Sequence, residues 1–197
     1  MPTLALPDAN VLHSRTLRDW LLILKVASGG EMFQLAYTED ILAEVLYHIR
    51  RNNVGLTGTQ ITIIRDQIAG TMDRRISRYP SGEDALHIGD PFDRHLHAAA
   101  VAGAMDCIIT DDAGFTGLSV NQRDLLEYEI YTADEFLTLV DDSSPSTVVV
   151  ALHRQIEHRS RRPGASFDFV ERLVAANCPS FAGRVKRHCQ QLALRKA

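Results

Sequence analysis

"PFDRHLHAAAVAGAMDCIITDDAGF", residues 91–115, decides the fold. Pro91 suits the first position of a helix, where its missing N–H costs nothing, and Asp90 before it suits the N-cap. "DRHLHAAAVAGA" then reads as a helix whose alanines and glycine allow close packing, and "DCIIT" as a fully buried strand. A helix feeding a short apolar strand is the unit from which parallel α/β sheets are built. Acids mark both ends of the stretch, with Asp93 at its start and Asp111 and Asp112 at its close. A carboxylate is costly to bury unpaired, so acids converging at strand ends either face water or share a cation.

The flanking sequence repeats the alternation. "TLALP" is a short apolar strand halted at Pro7 and followed by Asp8. "SRTLRDWLLILKVAS" is an amphipathic helix with Ser14 as N-cap and Leu17, Leu21, Leu24 and Val26 toward a core, stopped by Gly29 and Gly30. "MFQLAY" is a second strand, and Thr38 caps the helix "EDILAEVLYHIRRNN". The stretch "LTGTQITIIRDQIAGTMDRRIS" continues as helix with Ile61, Ile64 and Ile68 at helical spacing, and "ALHIG", residues 85–89, is a weak strand. "YEIYTADEFL" supplies a strand and a helix capped by Thr132. The expected fold is a three-layer α/β/α sandwich around a mostly parallel sheet.

"DDSSPS" at 141–146 breaks the composition, so a domain over residues 1–142 is expected to be followed by a helical extension over 143–197. Its helices read as "TVVVALHRQIEHRSRRP" and "SFDFVERLVAANCPSFAGRVKRHCQQLALRK", the second interrupted near Pro179. Charge divides along similar lines. Residues 1–150 carry 11 Lys and Arg against 22 Asp and Glu, and residues 151–197 carry 10 against 3. Such a basic segment either meets nucleic acid or an acidic protein, or docks on the acidic body. The basic runs "RRISR" at 74–78 and "HRSRRP" at 158–163, the latter with Arg159, Arg161 and Arg162, are candidates for phosphate contact.

Other classes are disfavoured by composition. Cys107, Cys178 and Cys189 form no CxxC pair and are odd in number, so neither a disulfide framework nor a zinc cluster is indicated. No apolar run approaches the roughly 18 residues of a membrane span, and the N-terminus lacks a basic, then apolar, leader pattern, so a cytoplasmic protein is expected.

In a parallel α/β sheet, ligands bind beyond the carboxyl ends of the strands. Asp8, Asp111 and Asp112 follow strands, Asp93 sits in the first turn of a helix, and Glu44 lies among Ile41, Leu42, Val45 and Ile49 on a face expected to be partly buried. Their mutual repulsion calls for a divalent cation, and an oxygen-only donor set favours Mg²⁺ or Mn²⁺. A carboxylate-held metal suits phosphodiester hydrolysis. Each residue also has a plainer role: Asp8 as a turn residue, Glu44 as the partner of His48, Asp90 as an N-cap, Asp93 as a dipole-favoured acid, Thr110 as a strand-end threonine. His95 and His97, two apart on a helix, point in different directions and read as structural.

"LPDANVLHS", "LRDWLLIL", "EDILAEVL" and "DPFDRHLHAAAVAGAMDCIITDD", in that order, resemble the PIN domain, in particular the PIN toxins of bacterial VapBC toxin–antitoxin systems, over about residues 3–140. The resemblance implies a PIN-like fold, Mg²⁺-dependent endoribonuclease activity, a homodimer, and inhibition by a cognate antitoxin whose segment lies across the acidic groove. It places the metal acids at Asp8, Glu44, Asp93 and Asp112, with Asn10 beside the first; Thr110, which opens the last motif, is expected to orient a ligand or the attacking water by its hydroxyl, and Asp90 is a secondary candidate. Here "DDAGF" sets Gly114 before Phe115 where the family's closest branch has Asn followed by Asp-Phe, which leaves open whether Asp111 or Asp112 faces the metal. Two other readings stand beside it: a structure-specific DNA nuclease of the same fold, and a catalytically silent RNA- or antitoxin-binding module. A phosphoacceptor site of the receiver type wants a lysine nearby, and Lys25 is the only one before the tail.

Overall fold

The computed structural model describes residues 1–80, 94–160 and 168–194, with only the backbone of 159 and 160. From the N-terminus the elements are β1 (Thr3–Pro7), α1 (Ala9–His13), α2 (Arg15–Ala27), β2 (Phe33–Tyr37), α3 (Glu39–Asn52), α4 (Gly58–Thr71) and β3 (Arg74–Arg75). They continue with α5 (Arg94–Ala102), β4 (Cys107–Ile109), α6 (Ala113–Thr116), α7 (Val120–Arg123) and β5 (Glu129–Tyr131). Helices α8 (Ala133–Ser143), α9 (Pro145–Ser160), α10 (Phe169–Ala175) and α11 (Pro179–Leu194) complete the chain.

The described residues form two compact units. The first comprises Met1–His13 and Phe33–Thr132; the second comprises Ser14–Met32 and the described residues from Ala133 onward.

In the first unit, five strands run parallel in the order β3-β2-β1-β4-β5. The chain lays β2 and then β3 to one side of β1, and β4 and then β5 to the other, so the order reverses between β1 and β4. Such a reversal opens a crevice beyond the carboxyl ends of the two central strands. Neighbouring residues on both faces of the sheet are buried: Ala5 and Leu6 in β1, and Cys107, Ile108 and Ile109 in β4, are at most 1% exposed. A sheet covered on both faces reads as a continuous apolar run, which is why "CIIT" carries no alternation. Leu6, Ala36, Ile108 and Ile130 share one face and pack with Ile41, Leu42 and Val45 of α3 and Leu96 and Ala99 of α5.

Caps set the helix starts. Thr38 Oγ1 accepts from Ile41 N–H at 3.0 Å, and Thr57 and Gln60 form a reciprocal capping box at the start of α4. Two sequence expectations change here. The third strand is Arg74–Arg75, taken from a stretch expected to be helical; the helix ends at Thr71, where Met72 turns extended, and Asp73 N–H donates to Leu35 O while Asp73 Oδ2 accepts from Leu35 N–H, each at 2.8 Å. A two-residue edge strand is too short to show any period. Val26, expected toward the core, is 62% exposed, and Trp20 takes the buried position instead. The strand expected at 85–89 lies outside the described residues, as do Asp90, Pro91 and Asp93.

The second unit is helical. Ser14 Oγ accepts from Leu17 N–H at the start of α2, and Gly29 and Gly30, with φ of 65° and 75°, end the segment in a conformation L residues avoid. Trp20 of α2 is the centre of this core, edge-on to Phe181 with ring centroids 5.1 Å apart and to Phe169 at 6.4 Å. Pro179 opens α11, and the carboxylate of Asp134 accepts from Ser180 N–H at 3.1 Å and Phe181 N–H at 2.8 Å, satisfying donors that a helix start leaves unpaired. Asp141 of α8, only 4% exposed, is held by His188 Nε2 at 2.6 Å and Arg184 Nη1 at 3.2 Å, so its burial is compensated. No described helix is long and apolar enough to cross a membrane.

Close packing after α5 gives a test of the first unit. A Cβ on Gly103 would lie 2.7 Å from Ile76 Cδ1, 2.9 Å from the Ala99 carbonyl oxygen and 2.9 Å from Met105 Cε. Gly103→Ala is expected to cost about 1–3 kcal/mol, as overpacking does. A urea midpoint equal to wild type would refute this packing.

Candidate active site

The end of the β1–β4 ladder builds the site. Asp8 N–H donates to Ile109 O at 2.9 Å and Thr110 N–H donates to Tyr131 O at 2.9 Å, so the two residues leave adjacent strands side by side. Thr110 Oγ1 then donates to Asp8 Oδ2 at 2.7 Å. Asn10 Nδ2, from the second residue of α1, donates to the same Asp8 oxygen at 2.7 Å and to Thr110 Oγ1 at 3.0 Å. Asp112 N–H donates to Thr110 Oγ1 at 3.1 Å, and Asp111 N–H donates to Asn10 Oδ1 at 3.4 Å. Residues about a hundred positions apart are thereby locked into one network.

Counting donors and acceptors assigns the roles. A threonine hydroxyl has one proton and two lone pairs. Those of Thr110, itself fully buried, are all engaged, by Asp8, Asn10 and Asp112. The hydroxyl thus ties Asp8, Asn10 and Asp112 together. An ionised carboxylate offers about four lone-pair sites. Asp8 uses three, the third accepting from Ala9 N–H at 2.6 Å, and keeps acceptor capacity for a cation.

Burial pushes the Asp8 carboxyl above its ordinary value of 3.8. The hydrogen bonds from Thr110 and Ala9 pull it back, the negative charge of Glu44 pushes it up again, and the charge of His95 lowers it. Glu44 and His95 thus both stand within electrostatic reach of Asp8. His95 is a neighbour that helical spacing alone did not reveal.

Glu44 itself differs from the expectation of partial burial. Its side chain is 45% exposed and lies 3.6 Å from His48, one turn on along α3. It stands beside the buried stripe of Ile41, Leu42, Val45 and Ile49, not within it. Asp112 is the N-cap of α6, its Oδ1 accepting from Gly114 N–H at 2.6 Å, while Asp111 is partly buried. Both acids stand at the same strand end, and the network reaches both through their backbone N–H groups. Asp93 and Asp90 lie outside the described residues.

Among the described residues, no group of three or more His, Cys, Asp or Glu side chains is gathered as a metal cage. The switch point nonetheless offers carboxylate oxygens, Asp8 being half-buried with a second acid in electrostatic reach, the chemistry that suits a hard divalent cation. Thiol chemistry is disfavoured: Cys107 is buried, and its thiol is pushed up to about 12.

The basic runs fare differently. Arg74 Nη1 donates to Gly103 O at 2.9 Å, and Arg75 pairs with Glu39 at 3.3 Å, so two arginines of "RRISR" have partners within the protein. Arg161, Arg162 and the side chain of Arg159 lie outside the described residues.

Thr110→Val tests the network. Removing a hydroxyl that serves three buried or half-buried groups is expected to cost about 1–3 kcal/mol. It also removes the bond that lowers the Asp8 pKa, so the midpoint of Asp8 in a carboxyl-detected NMR titration moves up. Because the folded-state pKa lies above 3.8, the stability contributed by neutral Asp8 is complete below that pH and is lost as pH rises through the folded value. In the variant this loss moves to higher pH; an unmoved midpoint would contradict the assigned role of Thr110.

Residues 133–187, which run from the start of α8 into α11, match the family model described as the VapC50 C-terminal domain. No curated protein and no solved structure matches the chain. The family match and the all-parallel five-stranded sheet are consistent with a PIN-like VapC toxin.

Proposed function

We propose that this chain is a metal-dependent endoribonuclease, the toxin of a type II toxin–antitoxin pair. The observation that carries the reading is the half-buried Asp8 carboxylate at the β1–β4 switch point, fixed by Thr110 and Asn10 with Glu44 in electrostatic reach. The VapC match supports the toxin assignment, and the order of the sequence motifs supports the nuclease chemistry.

In this reading Asp8 and Glu44, joined by Asp93 and Asp112 or Asp111, hold Mg²⁺ or Mn²⁺. When bound, such an ion supplies Lewis-acid catalysis to phosphodiester hydrolysis. The protein contributes positioning. Thr110 and Asn10 hold the direction of Asp8, and the hydrogen bonds from Thr110 and from Ala9 N–H to its carboxylate favour its ionised form. Fixing the first acid on strand ends, not on a long loop, gives the rigidity that catalysis requires.

An antitoxin is the partner that reading entails, and pairing of two copies of the chain is part of it. Cytoplasmic action belongs to the same reading.

The decisive substitution is Asp8→Asn. RNA cleavage by the purified protein is expected to fall by at least about 100-fold, the scale of losing one preorganised electrostatic contact, with the fold retained by circular dichroism. Calorimetric binding of Mn²⁺ is expected in wild type and lost in the variant. Matched RNA and DNA substrates distinguish the sugar specificity: cleavage of DNA alone would overturn the ribonuclease assignment. Full RNase activity in Asp8→Asn would remove Asp8 from the mechanism.

A further inference from the structure

The α3 face that begins at Glu44 carries more than an acid. Glu44, Tyr47, His48 and Arg51 stand at i, i+3, i+4 and i+7, the spacing that places side chains on one side of a helix. At that spacing the usual occupants are apolar and buried, and α3 has such a stripe in Ile41, Leu42, Val45 and Ile49. The second stripe is instead aromatic and ionisable, and it is open to solvent: Tyr47 is 61% exposed, the His48 side chain 33% and Glu44 45%.

Its rings are ordered against one another. The His48 ring lies 4.9 Å from that of His13 at 32°, and 5.4 Å from that of Tyr47 at 76°. His13 ends α1, three residues after Asn10, so it shares a face of that helix with the side chain that bonds Asp8. Two helices thus lead away from the same carboxylate, one through Asn10 to His13 and the other through Glu44 to His48, and they meet in a ring pair. Beyond it, Arg50 and Arg51 are exposed in the last turn of α3.

We propose that His13, His48, Tyr47 and Arg51 form the track along which a single-stranded RNA lies as it enters the carboxylate site, with a base stacked on the Tyr47 ring, its edge toward His48, and a phosphate at Arg51. The inference rests on the ribonuclease reading. Acids repel a polyanion, so a strand brought to Asp8 and Glu44 needs attraction nearby that does not compete for the cation. Ring faces supply it by stacking, which tolerates any base. Arginine at the far end of the stripe supplies the phosphate contact. Sequence-tolerant grip of unpaired nucleotides uses this combination of aromatic faces and a basic flank.

Binding and turnover are measured on a mixed-sequence single-stranded RNA oligonucleotide carrying 2-aminopurine at successive positions, with Ca²⁺ for binding and Mg²⁺ for cleavage. Wild type is expected to change the 2-aminopurine emission at one or two positions. Tyr47→Leu, a helix-compatible change at an exposed site, is expected to abolish that change and to weaken binding about five- to hundredfold, the range for loss of one base–aromatic stack. The effect falls on KM with kcat within about twofold. Tyr47→Phe, which keeps the ring, restores binding, and Arg51→Gln flattens the salt dependence. Wild type that cleaves RNA while Tyr47→Leu and His48→Gln keep its KM and emission signature would overturn the track and leave the nuclease reading intact. Wild type that cleaves neither RNA nor DNA would overturn the nuclease reading, and the track with it.

Discussion

The bridge from Thr110 to Asp8 is the constraint on which the first unit depends. Burying a carboxylate beside a second acid raises the energy of its ionised form, and three donors offset part of that cost: the hydroxyl of Thr110, the amide of Asn10 and the N–H of Ala9. Each donor requires a particular element to be in place. Thr110 needs β4 beside β1, and Asn10 and Ala9 need α1 to start immediately after Pro7. The hydrogen bonds that make the site are therefore the same ones that pin the order reversal of the sheet.

Other acids of the first unit show what a purely structural role looks like. Asp73 and Asp106 precede β3 and β4, and each accepts a backbone N–H of a neighbouring strand, from Leu35 and Leu4 respectively. Those carboxylates extend ladders at the amino ends of strands. Asp8 stands at the opposite end, where its carboxylate accepts from Thr110, Asn10 and Ala9 and extends no ladder. Position along the strand, more than acidity, separates the two roles.

Much of this was legible in the residues, for reasons that differ by element. The helices starting after Ser14 and Thr38 declare themselves by a cap followed by an amphipathic run, and "CIIT" by unbroken apolarity. Helices α1, α6 and α7, of five, four and four residues, are too short to display a period, and β3 shorter still. An apolar stripe states that a face is covered and not by what: nothing in "LRDWLLIL" assigns Trp20 to Phe169 and Phe181, some 150 positions on. Glu44 illustrates the same limit at the site. Being adjacent in sequence to buried residues predicts partial burial, but its own arc of α3 faces out. Pairing His48 with Glu44 accounts for one offset only, whereas the positions 44, 47, 48 and 51 together define the ring stripe beside it.

The charge division of the chain also acquires a physical content. Part of the basic excess beyond residue 150 is consumed inside the second unit, where Arg184 meets Asp141 and Asp142 and His188 meets Asp141. A buried carboxylate such as Asp141 requires those partners whatever the ligand of the protein, because an unpaired charge at that depth costs several kcal/mol. The net charge of that segment therefore overstates the cationic surface it offers to a polyanion. Cationic contacts for a substrate are better sought where arginine is exposed and lies on the path to the carboxylates. Among the described residues, the end of α3 meets both conditions.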